Sequence, residues 1–144
     1  MKKTVFTSAI IMALVFITIR SANAQNFHVT WDGISDSACY CHNNDNCYYR
    51  IDATIVNECV NPWVSFPVTP YFADNEADEA TYPHGYSCID YTQEPCYLII
   101  VEVKKICSDG HGGFVVLCSG RQNKWAKCAD FSSGDIEINV GILH

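Results

Sequence analysis

From Cys47 to Ile55 the side chains alternate: Cys47, Tyr49, Ile51, Ala53 and Ile55 take one set of positions, and Tyr48, Arg50, Asp52 and Thr54 take the other. A period of two is that of an extended chain with one face buried, because successive side chains leave a strand on opposite sides. The same pattern returns near the end of the chain, where Ile136, Ile138, Val140 and Ile142 are set against Glu137 and Asn139. Tyr97 to Val103 is a nearly continuous β-branched and aromatic run, which suits a central strand. Phe27 to Trp31 and Gly113 to Ser119 predict two more strands. Trp63 to Phe72 is extended but interrupted by Pro67 and Pro70. Proline has no N–H for a ladder, so this segment belongs at an edge or in a loop. No window offers an amphipathic helix with caps. The pattern predicts an all-β fold, a small disulfide-rich β-sandwich-like domain with long loops.

The beginning of the chain follows a different rule. Lys2 and Lys3 precede a mostly apolar stretch from Val5 to Ile19, and Ala22-Asn23-Ala24 then supplies an A-x-A pattern just before Gln25. This is the layout of a secretory signal peptide, so residues 1–24 are expected to be removed and residues 25–144 to form a single secreted domain. The apolar stretch, interrupted by Thr7 and Ser8, falls short of the roughly 20 residues that span a bilayer. No later segment is long enough either, which predicts no membrane span and an extracellular location.

Removing the leader changes the charge. It holds Lys2, Lys3 and Arg20 and no acid, so the remaining chain carries six basic and sixteen acidic residues, a net charge of −10. Such a balance argues against nucleic acid and anionic membrane as partners. Eleven acids and only Arg50 lie between Trp31 and Ile100, whereas Lys104, Lys105, Arg121, Lys124 and Lys127 crowd the last third.

All nine cysteines lie after the leader: Cys39, Cys41, Cys47, Cys59, Cys88, Cys96, Cys107, Cys118 and Cys128. In a secreted chain they are expected to form four bridges and leave one over. The pairing is open, and the odd member has two fates, a buried thiol or a bond that makes a disulfide-linked homodimer. Cys39 and Cys41 are too close to pair easily with each other, so this spot is expected to be tied to two other places.

Several stretches carry partial likenesses to known families. Tyr40-Cys41-His42-Asn43-Asn44-Asp45-Asn46-Cys47-Tyr48 resembles the active-site helix of secreted phospholipase A2. The resemblance implies a catalytic histidine where Asn44 stands, and an amide cannot accept the proton that activates water. Cys107, Cys118, Trp125 and Cys128 resemble the closing half of a complement-control module, without its opening cysteine. Phe27 to Trp31, Cys47 to Ile51 and Tyr97 to Val103 resemble strands of the N-terminal sandwich domain of Notch ligands, which supports a sandwich and implies no function.

Ligand chemistry is sparse. Cys39, Cys41, His42 and Cys47 have zinc-ligand character, but disulfides would consume those thiols in an oxidising compartment. Asp74, Glu76, Asp78 and Glu79 put four carboxylates in six residues, yet Glu79 and Gly85 stand where a calcium loop needs glycine and glutamate. Asp109-Gly110-His111-Gly112-Gly113 suits a tight turn between strands. No metal, cofactor, nucleophile or catalytic base is expected, and no Asn-x-Ser/Thr acceptor is present.

What remains is a proline-punctuated, aromatic and acidic stretch from Trp63 to Tyr91. Tyrosine and tryptophan on rigid loops anchor interfaces well, although the same rings can simply cover bridges and sandwich ends. The expectation is a non-enzymatic binding protein, in the manner of toxins or effectors, that engages an extracellular or cell-surface protein through Trp63, Phe72, Asp74, Glu76 and Tyr82. The alternatives are a structural or adhesive component linked through the odd cysteine, and a small hydrolase.

Overall fold

A computed structural model describes residues 25–34, 39–41, 46–88 and 93–144. The leader, residues 42–45 of the phospholipase-like and zinc-like patterns, and Tyr91 lie outside the described residues. Among the described residues seven strands form two sheets: β1 (Asn26–Thr30), β2 (Cys47–Asn57), β3 (Val64–Asp74), β4 (Glu79–Pro83), β5 (Tyr97–Ser108), β6 (Phe114–Ala126) and β7 (Ile136–Asn139). A short 3-10 helix at Cys128–Ser132 joins β6 to β7, and no α-helix occurs among the described residues. No helix among them is long and apolar enough to cross a membrane.

The larger sheet has the order β3-β2-β5-β6, all antiparallel, and the smaller has the order β4-β1-β7. Within the smaller sheet β1 runs antiparallel to β4 and parallel to β7. The two strands with the clearest hydrophobic signal, β2 and β5, lie side by side in the middle of the larger sheet. Tyr49 faces Lys105, Ile51 faces Val103, Ala53 faces Val101 and Ile55 faces Ile99. The apolar members of these pairs point inward and meet Phe27, Val29 and Trp31 of the β1 strand and its extension, Ala80 and Tyr82 of β4, and Ile136 and Ile138 of β7. The core is therefore the inner faces of both sheets, as binary alternation requires.

Proline places β3 at an edge. Pro67 pairs with Thr54, and between the Ile51/Tyr71 and Ala53/Val68 pairs the register slips, so Thr69 and Pro70 bulge opposite Asp52. The bulge accommodates a residue that has no ladder donor. Asp109 Oδ1 accepts the backbone N–H of both His111 and Gly113 at 2.8 Å, and Gly110 and Gly112 adopt positive φ. The Asp109–Gly113 segment is thus the tight β5–β6 turn, held by its own aspartate. Gly120 of β6 is needed for a close approach: a Cβ there would lie 2.7 Å from Leu143 Cδ2 and 2.8 Å from Val140 Cγ1.

An aromatic cluster closes one end of the core. Phe131, on the 3-10 helix, meets His84, Tyr86 and Tyr97 edge-on, with ring centroids 5.5, 5.0 and 5.3 Å away. The Cys88–Cys128 bridge lies against it, with Cys88 Sγ 3.0 Å from Tyr97 Oη. A second bridge, Cys59–Cys96, ties the chain after β2 to the chain before β5.

His84 makes this cluster sensitive to acid. Its Nδ1 accepts the Tyr86 backbone N–H at 3.0 Å, which leaves the proton of the neutral ring on Nε2, a buried atom with no hydrogen-bond partner among the described residues. Burial holds the imidazole pKa below its ordinary value. The unfolded chain therefore binds this proton first as pH falls. The stability held by neutral His84 is complete above the ordinary imidazole pKa of about 6.5 and is lost as pH falls towards the lower folded value. Thermal melts from pH 7.5 to 5.5 are expected to show a falling Tm, and a His84→Phe variant a flatter profile. An equal slope in both proteins contradicts this account.

Candidate binding surface

The outer face of the larger sheet is not uniformly solvated. Reading across the register, Arg50 lies beside Lys104, and Asp52 beside Glu102, which faces Arg121. Asp52 accepts Arg50 Nε at 2.9 Å and Lys104 Nζ at 3.3 Å, and Lys104 also reaches Glu102 at 2.8 Å. The hydrogen bond to Glu102, with Asp52 beside it, raises the Lys104 pKa against the opposing effect of burial. These half-exposed pairs contribute little stability individually, but they form a charged ladder across the middle of the face.

Apolar groups occupy both ends of that ladder. At one end Tyr48 sits in register with Asp74 on one side and Ile106 on the other, and Ile106 faces Val116. Phe72 and Phe114 pack edge-on against Tyr48, with centroids 5.5 and 5.8 Å away and interplanar angles of 71° and 73°. Both rings remain more than half exposed, Phe72 at 55% and Phe114 at 64%, and Val116 at 51% extends the patch. Edge-to-face packing fixes their orientation while their outer faces stay available. Beside them the turn after β3 opens a depression of about 600 Å³ lined by Cys47, Asp74, Asn75, Glu76 and Ala77. At the other end Trp125 is exposed, in register with Leu98 and Val56.

Three of the residues expected to bind fall together here: Phe72, Asp74 and Glu76. Trp63 is exposed as expected, but it precedes the far end of β3 and is separated from Phe72 by most of an 11-residue strand, roughly 30 Å at 3.3 Å per residue. Tyr82 is not a surface contact. It is 2% exposed, stacked on Tyr71 at 5.2 Å and edge-on to Phe27 at 5.9 Å. Its β4 neighbours alternate outward and inward, and position 82 falls on the inward side; burial pushes its phenol pKa well up. The remaining middle aromatics cover the core, Phe66 meeting Tyr86 at 5.0 Å and Tyr86 meeting Phe131.

Alternation along the chain does not single out Tyr48, Phe114 and Val116 as members of one surface. Tyr48 carried a signal, since it occupies the outward position in the β2 alternation. Phe114 and Val116 join it only because β6 pairs with the edge of β5 opposite β2, in a register that sets Val116 beside Ile106 and Ile106 beside Tyr48.

The ligand-like groups are also rearranged. Glu79 turns to His28 at 3.3 Å on the outer face of the smaller sheet, away from any cluster with Asp74 and Glu76. Cys39 is buried 4.0 Å from the Leu117 carbonyl oxygen, while Cys41 and Cys47 gather with Cys107. Among the described residues this sulfur trio is the one group of three metal-capable side chains. Comparison of the chain with protein-family models, with curated proteins and with solved structures finds no match in any of the three.

Proposed function

We propose that this protein is a secreted, disulfide-stabilised, non-enzymatic binding protein. It recognises a segment of an extracellular or cell-surface protein that combines apolar and basic side chains. The observation that carries this reading is the pair Phe72 and Phe114, both largely exposed and held edge-on by Tyr48, which lies in register with Asp74 just before the turn that carries Glu76. Rings already fixed by a neighbour lose little entropy on binding, and such anchors dominate interface energetics. The adjacent acids favour Lys or Arg in the partner and suppress acidic partners through like-charge repulsion.

Selection from a random peptide library against the immobilised domain tests this. Enriched sequences are expected to pair aromatic or aliphatic residues with Lys or Arg. The Phe72→Ala/Phe114→Ala variant is expected to bind them at least about 30-fold more weakly, the size of a 2 kcal/mol hot spot. Its Tm should barely move, because both rings are exposed. Enrichment of acidic sequences, or full binding by the folded double variant, refutes the placement.

A further inference from the structure

We propose that Cys41, Cys47 and Cys107 form a three-sulfur thiol–disulfide exchange site, in which Cys41 is the reactive thiol and a disulfide is the substrate. The three Sγ atoms lie within 4.8 Å of one another. A sulfur carries one disulfide bond, so one member of the trio is always left outside the bond between the other two. Cys47 and Cys107 are directly opposed across the β2–β5 ladder, with Cα atoms 4.2 Å apart, whereas Cys41 stands 6.6 and 6.8 Å from them. The register therefore assigns the resting bond to Cys47–Cys107. All three separations remain close to the span that a disulfide bridges, so the bond has a second partner within reach.

Exposure selects the outward member. With Cys59–Cys96 and Cys88–Cys128 bridged, five cysteines remain. Cys39 is 1% exposed, Cys118 3%, Cys107 6% and Cys47 9%, whereas Cys41 is only half-buried. It follows the exposed Tyr40, and Cys47 lines the neighbouring depression.

Two exchanges follow: the internal one needs no outside oxidant, and in the external one the incoming disulfide is the oxidant. In the internal one the Cys41 thiolate attacks Cys47 Sγ, a Cys41–Cys47 bond forms, and Cys107 leaves as thiolate. In the external one the Cys41 thiolate attacks one sulfur of an incoming disulfide. A mixed disulfide forms at Cys41, and the other sulfur departs as a thiolate that takes up a proton. The substrate is an accessible disulfide, either of a small thiol compound or of another protein chain. This site rests on the sulfur geometry alone and is independent of the binding reading.

Oxidised glutathione and iodoacetamide are the probes, followed by peptide mapping without reduction. The native protein is expected to take one glutathione, at Cys41, and to be alkylated there at least about tenfold faster than at the buried Cys39. Cys41→Ser is expected to abolish the glutathione adduct and the fast alkylation, retain the Cys47–Cys107 bridge and keep its Tm. Cys47→Ser is the decisive variant: Cys41 and Cys107 should then bond to each other, and reactivity should vanish although Cys41 is still present. The proposal is overturned by an unreactive wild type, by an adduct that persists in Cys41→Ser, or by a folded Cys47→Ser protein in which Cys41 stays reactive. A dimer on a non-reducing gel that Cys41→Ser removes identifies a second chain as the disulfide source, whereas a monomeric adduct identifies a small one.

Discussion

Replacing Phe131 by alanine is expected to lower the unfolding free energy by about 3–5 kcal/mol, read as a fall in the urea midpoint. The ring is 1% exposed and is the shared neighbour of His84, Tyr86 and Tyr97. Collapse around the vacated space is restricted on two sides. The Cys88–Cys128 bridge fixes the start of the 3-10 helix, and the Asp130 carboxylate accepts the Lys127 N–H at 2.8 Å. A cavity that cannot close retains its full cost. Since small domains are stable by only about 5–15 kcal/mol, the variant should lie near the limit of folding. A loss below 1 kcal/mol would show that the helix repacks freely and that the cluster is not a fixed part of the core.

The Cys59→Ser/Cys96→Ser variant is expected to lose about 4 kcal/mol, the chain-entropy value for a bridge that closes a loop of this length. The separation is 37 residues. In the native state the two cysteines are already neighbours: Asn57 pairs with Tyr97, and Glu58 N–H donates to the Cys96 carbonyl at 2.9 Å. The bridge therefore adds few native contacts and acts chiefly by shrinking the unfolded ensemble. Urea denaturation distinguishes this from a packing effect. The midpoint should fall and the m-value should rise, because an unbridged chain exposes more surface when unfolded. A fallen midpoint with an unchanged m-value would move the effect to the native state.

How far the fold could be read depends on what each strand has to bury. The β2 pattern announces itself because its polar and apolar positions separate cleanly over nine residues, and β5 because it is a central strand flanked by β2 and β6 and rich in β-branched and aromatic residues. The short β4 strand lay hidden in a stretch that suits an acidic loop. Glu79–Pro83 offers only Ala80 and Tyr82 as inward residues, too few for a period to emerge. The second half of β6 was equally silent: Arg121, Gln122, Asn123 and Lys124 are polar on both faces and are extended because β5 pairs with them. The expectation for Tyr82 failed because tyrosine suits both core and surface, and only the register of β4 against β1 decides between them.

The same division applies to the candidate sites. The all-β class, the exclusion of the proline-containing segment from a central strand and the tight Asp109–Gly113 turn were legible along the chain, and Phe72, Asp74 and Glu76 are near one another because they are close in sequence. Each of these follows from local geometry: side-chain alternation, a missing N–H, glycine at positive φ, or neighbours along the chain. Only the tertiary structure brought Phe114 to Tyr48, sent Glu79 to His28 and placed Cys107 opposite Cys47 with Cys41 beside them. Those pairings are set by strand order and register, which arise from the burial of two whole sheet faces against each other and leave no mark at any single position in the chain.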